Sequence, residues 1–212
     1  VYRYPSVLAG ILLVPLVYQL GRRLKNRWVG LLAAGVTAVT FWPVASSREA
    51  LRAGMLPFFM ALAVWFFWQI VFADAAKRRR GLIIALAISI AITLHIYLAA
   101  RVTWLIFPVF LVYLALRHRD KFKESWQPVL AGLMLAGLLV IPMFVYLQNN
   151  PEAQTRLSML DGTLQGLREG NVVPVLYNAK EALLAFIWPG YGDQFLAYNI
   201  PGRPVFDAVT AV

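Results

Sequence analysis

Six apolar stretches, residues 5–20, 28–44, 55–73, 82–100, 102–116 and 129–147, take up most of the first 147 positions. Several approach the ~20 residues that a helix needs to cross ~30 Å of hydrocarbon. The polar breaks between them keep a rhythm. Arg22, Arg23, Lys25 and Arg27 follow the first stretch, Lys77, Arg78, Arg79 and Arg80 the third, and Arg117, Arg119, Lys121 and Lys123 the fifth. Lys and Arg resist translocation, so cytoplasmic loops collect them, and clusters in every second loop predict alternating crossings. The pattern predicts an all-α, polytopic transmembrane helix bundle of about six spans, with the three basic loops cytoplasmic and both ends of the segment outside. Within 82–116 only Arg101 strongly interrupts the apolar run. One helix of that length would be roughly 50 Å long and would leave basic clusters on both sides of the membrane, so a tight hairpin with Arg101 at its outer tip is expected.

Trp28 and Trp126 fall at the expected inner interface, and Trp42, Trp104 and Trp188 at the outer one, where indole rings favour the headgroup level. Pro15, Pro43, Pro57, Pro108 and Pro142 lie in or at the ends of spans and read as packing kinks. After residue 147 the composition changes. Residues 148–204 are expected to form an external loop region, with 172–188 as an interfacial helix because Lys180 and Glu181 make it too polar at its centre for a span. From 148 onward the acidic residues outnumber the basic ones, which suits an external segment. Residues 205–212 read as the start of a further span, and the chain, opening at Val1, reads as an internal piece of a longer protein.

Composition narrows the class. Hydrophobic residues make up 60% of the chain and charged ones 14%, with a mean hydropathy of +0.66, too apolar for a soluble domain of this length. The net charge of +10 is concentrated in the three basic loops, so topology accounts for it and no nucleic-acid partner is expected. Cysteine is absent, which removes disulfides, thiolate chemistry and Cys-ligated metals.

Candidate chemistry gathers at the outer ends of the spans. In Ser46-Ser47-Arg48-Glu49-Ala50-Leu51-Arg52, Ser46 with Glu49 three residues on fits a capping box and predicts a short helix starting there. On such a helix Arg48 and Arg52 share a face at i and i+4, a repulsion that a bound anion reverses. Phosphate is the natural anion, because guanidinium forks match its oxygens bidentately. The plainer alternative pairs Glu49 with Arg52 and lets Arg48 snorkel to lipid headgroups. Arg3 and Arg101 at other external ends favour phosphate, since four arginines on a side that should be poor in them need a reason. His95 and Tyr97 approach the same face and are candidate site-lining residues with Glu49. Glu49 and His95 are two ligands at most, so no metal site and no cofactor is assigned, and a requirement for a divalent metal is left open. No phosphate-binding Gly-rich loop, nucleophile elbow or HExxH is present.

Tyr4-Pro5-Ser6 opening an apolar helix, Gly21-Arg22-Arg23-Leu24 closing it, and Ser47 to Arg52 with Pro57 behind form an ordered series. With Gly192-Asp193, the run from Tyr198 to Pro204, and Asp207, this series resembles the dolichyl-phosphate-mannose protein mannosyltransferase and aminoarabinose transferase group, which are GT-C-type glycosyltransferases. The resemblance covers essentially the whole chain. It implies an inverting transfer of a sugar from a polyprenyl-phosphate donor to a protein, lipid or glycan acceptor at the outer face of the cell membrane. It further implies that external arginines, Arg48 with Arg52 and Arg101, hold the donor phosphate. The group's catalytic acidic residue lies in a loop that would precede Val1, so Glu49, Asp193 and Asp207 are not assigned that role. Two other classes compete: a non-catalytic multi-spanning lipid or solute transporter, and a structural membrane subunit that binds anionic lipid. Transporters place ionisable or unwound elements near the midplane, whereas the ionisable residues here lie mostly at span ends.

Overall fold

A computed structural model describes residues 4–48, 52–72, 79–97, 100, 104–150, 165–191 and 201–204, without the side chains of 41–43 and 48. Within a bilayer every backbone N–H and C=O must find its partner inside the protein, and the described residues meet that demand with helices and no strand. The helices are α1 (Tyr4–Leu24), α2 (Arg27–Val39), α3 (Phe41–Arg48), a 3-10 turn (Arg52–Met55), α4 (Leu56–Phe72), α5 (Arg79–Ile96), α6 (Ile106–Arg117), α7 (Arg119–Asn149) and α8 (Val173–Ile187). Four described stretches are long and apolar enough to cross a membrane: Tyr4–Leu24, Arg52–Phe72, Arg79–Ile96 and Arg119–Asn149. The second and fifth expected spans are occupied by the shorter apolar helices Arg27–Val39 and Ile106–Arg117.

Proline explains why the second span is broken. A helix running unbroken through residue 43 would drive the Pro43 ring into the carbonyl of Val39. Instead Thr40 turns out of the helix at φ −67°, ψ 138°, with its Oγ1 and its backbone N–H both donating to Val36 O, at 2.6 and 2.9 Å. The chain restarts as α3 with Pro43 in the first turn, where its missing N–H costs nothing. Pro57 and Pro108 likewise sit in the first turns of α4 and α6. The break between the fourth and fifth spans is as expected, since α5 stops at Ile96 and α6 begins at Ile106, with Arg101 itself outside the described residues.

The described residues form two compact units, 1–144 and 145–212. In the first unit, contacts fix which helix ends lie together. α1 and α4 run side by side in the same direction: a Cβ at Gly54 would lie 3.7 Å from Ser6 near their starts, while the Arg23 guanidinium sits 4.8 Å from the Trp65 ring near their ends. α4 and α5 pack against each other, and α5 also touches the 3-10 turn that leads into α4, so α5 returns antiparallel. α7 runs with α5, for Gly132 meets Ile83 and Leu86 while Leu139 lies beside Ile92 and His95. The corner after α1, the start of α5 and the start of α7 therefore share one end of the bundle. Those are the described parts of the three basic clusters; Lys77 and Arg78 lie outside the described residues.

A core of Ala63, Phe67, Leu86, Ile90, Phe107, Leu114, Val129, Ala136 and Val140 joins α4 to α7. The Phe67 ring lies 5.3 Å from Phe107 and 5.4 Å from Phe110. Between α1 and α2 glycines allow the backbones to touch: a Cβ on Gly30 would come 2.6 Å from Tyr18 O, and one on Gly21 would come 2.9 Å from Gly30 Cα. Trp28 and Trp126 are exposed just beyond the basic corners. Trp104 packs on the core near Gly137. Trp42 lacks a described side chain.

In the second unit α8 buries no residue, and Trp188 at its C-cap is 60% exposed. Asn171 Oδ1 accepts a hydrogen bond from Val173 N at the start of α8, and Gly190 and Gly202, at φ 95° and 74°, are joined by a 2.7 Å bond from Gly190 N to Gly202 O.

Candidate functional site

The end of the first unit opposite the basic corners carries an open groove of about 370 Å³. Its wall is one face of α5, Ile88, Ala91, Ile92, His95 and Ile96, faced by Leu139 of α7 and closed off by Arg52 of the 3-10 turn. Spacing accounts for the wall. Ile88, Ile92 and Ile96 form one i, i+4 row and Ala91 and His95 a second, adjacent row.

The two hydroxyls of α5 are turned inward on its own backbone. Ser89 Oγ donates to Ala85 O at 2.7 Å, and Thr93 Oγ1 donates to Ile90 O at 2.7 Å. Polar capacity in the groove thus rests with Arg52 and His95. His95 Nδ1 lies 2.7 Å from Ala91 O, and since a carbonyl can only accept, Nδ1 carries the hydrogen. That bond fixes the ring and leaves Nε2 as its remaining polar atom. Arg52 is exposed and makes no ion pair among the described residues.

Small residues place Arg52. A Cβ built on Gly54 would lie 2.5 Å from Ser46 O, so the 3-10 turn rests directly on the α3 backbone. A Cβ on Gly10 would lie 2.6 Å from Ser47 Cβ, which brings α1 against α3 in the same way. Ser6 is buried at this junction.

The structure brings Arg52 and His95 together and leaves Tyr97 aside. Tyr97 stands just past α5, its N–H on Thr93 O at 3.3 Å, and does not line the groove. Arg48 is the last residue of α3, with its side chain not described, while Arg3, Glu49 and Arg101 lie outside the described residues. The expected helix start at Ser46 is corrected. Ser46 lies inside α3, which is already running from Phe41, so it does not start a new helix, and the next residue, Ser47, donates its Oγ–H back to Val44 O at 2.8 Å. Arg48 and Arg52 consequently belong to two different elements. Sequence reasoning missed the apolar wall, although the i, i+4 rows on α5 were a readable signal for it. Nothing local marked Leu139 or Gly54. Among the described residues no group of three or more His, Asp or Glu could hold a metal ion.

Chemically the groove suits an amphiphile: an apolar trough for a hydrocarbon chain and a guanidinium at its end for an anionic head. Residues 1–153, which include the whole first unit, match the family model described as dolichyl-phosphate-mannose-protein mannosyltransferase. No curated protein and no solved structure matches the chain. With its bundle of apolar helices, the chain belongs to the dolichyl-phosphate-mannose-protein mannosyltransferase family, membrane glycosyltransferases that draw their sugar from a polyprenyl phosphate.

Proposed function

We propose that the groove is where this protein holds its polyprenyl-phosphate-linked sugar, and that transfer takes place at the outer face of the membrane. The observation that carries the reading is Arg52 at the end of a groove that is apolar apart from Arg52 and His95, at the bundle end away from the basic corners. The first isoprene units lie along Ile88, Ile92, Ile96 and Leu139, and the phosphate meets the Arg52 guanidinium at the headgroup level. Arg48, Arg101 and Arg3 are proposed as further phosphate contacts from the same side.

In the transfer, an acceptor hydroxyl or amine attacks C1 of the sugar as the bond from C1 to the phosphate oxygen breaks. The bonding pair leaves with the phosphate, whose charge rises, and a fixed guanidinium stabilises that charge more in the transition state than in the bound donor. The acceptor's proton needs a base within hydrogen-bond reach. By resemblance, that base is a carboxylate of the family's first external loop, and the region 148–204 contributes to acceptor choice. The middle turns of α4, α5, α6 and α7 carry no Asp, Glu, Lys or Arg, which speaks for a site at the span ends rather than a transport path through the midplane.

The test is Arg52→Ala in the full-length protein, assayed for sugar transfer from a short-chain polyprenyl-phosphate sugar. Loss of a charge-assisted contact of ~1.5–3 kcal/mol lowers donor use by more than ~10-fold, and Arg52→Lys recovers part of it. Unchanged donor kinetics in a well-folded Arg52→Ala protein would refute the placement.

A further inference from the structure

Among the described residues no carboxylate pairs with the cations of the basic corner between α1 and α2, and the corner lies at the end of the bundle away from the groove. Arg22, Arg23, Lys25 and Arg27 fall within six positions around a turn of only two residues. Arg23 is engaged by the protein itself, its guanidinium 4.8 Å from the Trp65 ring and its Nη1 donating to Gln69 Oε1 at 3.4 Å. Arg22, Lys25 and Arg27 make no ion pair among the described residues. Arg27 also opens α2, whose first turn has no acidic residue, so a cation is held against the positive end of the helix dipole.

The corner is nevertheless built to stay in place. Asn26 Oδ1 accepts from Val29 N at 3.0 Å, and Gly21 and Gly30 lock the two helices together. Trp28 beside it is 70% exposed, the position of an indole at the headgroup level. The corner at the start of α7 differs. It carries its own carboxylates, Asp120 and Glu124, and Lys121 pairs with Glu124 at 3.7 Å.

We infer that the α1–α2 corner is a binding site for the phosphate headgroup of an anionic phospholipid, held by Arg22, Lys25 and Arg27 with Trp28 at the same depth. A lipid is the fitting source of the anion because the site sits where a membrane-crossing helix ends, and the anion there relieves both the mutual repulsion and the Arg27 dipole conflict. The inference does not depend on the donor groove.

The test uses the full-length protein in phosphatidylcholine vesicles, with spin-labelled phosphatidylglycerol or spin-labelled phosphatidylcholine as the probe and the motionally restricted lipid fraction as the readout. Each cation near an anionic headgroup contributes about fivefold, so at low salt phosphatidylglycerol associates at least about tenfold more strongly than phosphatidylcholine. Arg22→Gln/Lys25→Gln/Arg27→Gln lowers the preference at least about tenfold, whereas Arg22→Lys/Arg27→Lys keeps it and Arg119→Gln/Lys123→Gln, beside their own carboxylates, lowers it less than the triple change does. Inorganic phosphate at millimolar concentration does not abolish it. Equal association of the two lipids with the wild type overturns the inference. So does a preference that the triple Gln change leaves undiminished, one lost equally in the charge-conserving variant, or one displaced by inorganic phosphate.

Discussion

A single methyl group at Gly54 tests whether the groove depends on the seating of the 3-10 turn on α3. The added Cβ would stand 2.5 Å from Ser46 O and 3.3 Å from Ser46 C, both backbone atoms that cannot rotate away. Carbon and oxygen settle at about 3.3–3.6 Å, so the turn must retreat by about 1 Å. Arg52, two positions upstream in the same turn, retreats with it. Overpacking of this kind costs about 1–3 kcal/mol, and replacing glycine by alanine in a helical turn returns about 0.5–1 kcal/mol, so the net loss of stability is modest. A misplacement of about 1 Å in a group that stabilises developing charge can cost on the order of a hundredfold in rate.

Gly54→Ala is therefore expected to keep its helical content by circular dichroism while sugar transfer falls about 10- to 100-fold. Gly35→Ala supplies the control, because nothing lies within 4 Å of a Cβ built there, and it should transfer at the wild-type rate. The double variant Gly54→Ala/Arg52→Ala should be no worse than Arg52→Ala, since the first change acts only by moving the side chain that the second removes. Wild-type turnover by Gly54→Ala, alongside a clear defect in Arg52→Ala, would refute the reasoning.

Two further outcomes are expected. Cysteines placed at Lys25 and Asp120, in a chain with none of its own, should resist an impermeant thiol reagent in intact cells and react after permeabilisation; reaction at either site in intact cells would reverse the orientation. Phe107→Ala should destabilise the bundle by about 2 kcal/mol in denaturant unfolding from micelles, because lipid replaces water as the alternative environment and the cost is mainly that of the cavity left beside Phe67; a loss under about 0.5 kcal/mol would contradict that packing.

What could be read from the sequence follows the range of each interaction. Hydrophobic runs and basic clusters report a residue's own cost in lipid, a local quantity, and they pointed to an all-helical bundle with its apolar helices near the expected spans. Thr40 shows where such reading fails. The apolar run continues to Val44 and makes Pro43 read as a kink at the end of one span, yet the helix stops at Val39 because Pro43 forbids the carbonyl behind it. Ser46 and Glu49 matched a capping pattern at the wrong place for the same reason, since the break upstream had already started α3. Arg52 and His95 were legible as polar residues at span ends. Their meeting with Leu139 is set by the packing of α7 along α5, which no local pattern encodes.

The same energetic cost places both the basic corners and the groove. An arginine at the centre of a span costs several kcal/mol, and one at the end keeps its charge at the headgroup level while its stem lies on apolar surface. A ligand whose own charge is a phosphate on a long hydrocarbon meets the identical constraint, because its chain stays in the bilayer and its head stays at the surface. An arginine able to reach that phosphate must therefore lie at a helix end, beside a face that offers a run of hydrocarbon. Arg52 satisfies the first condition, at the entrance to α4, and the Ile88, Ile92 and Ile96 row satisfies the second, with Ser89 and Thr93 tied to their own helix backbone.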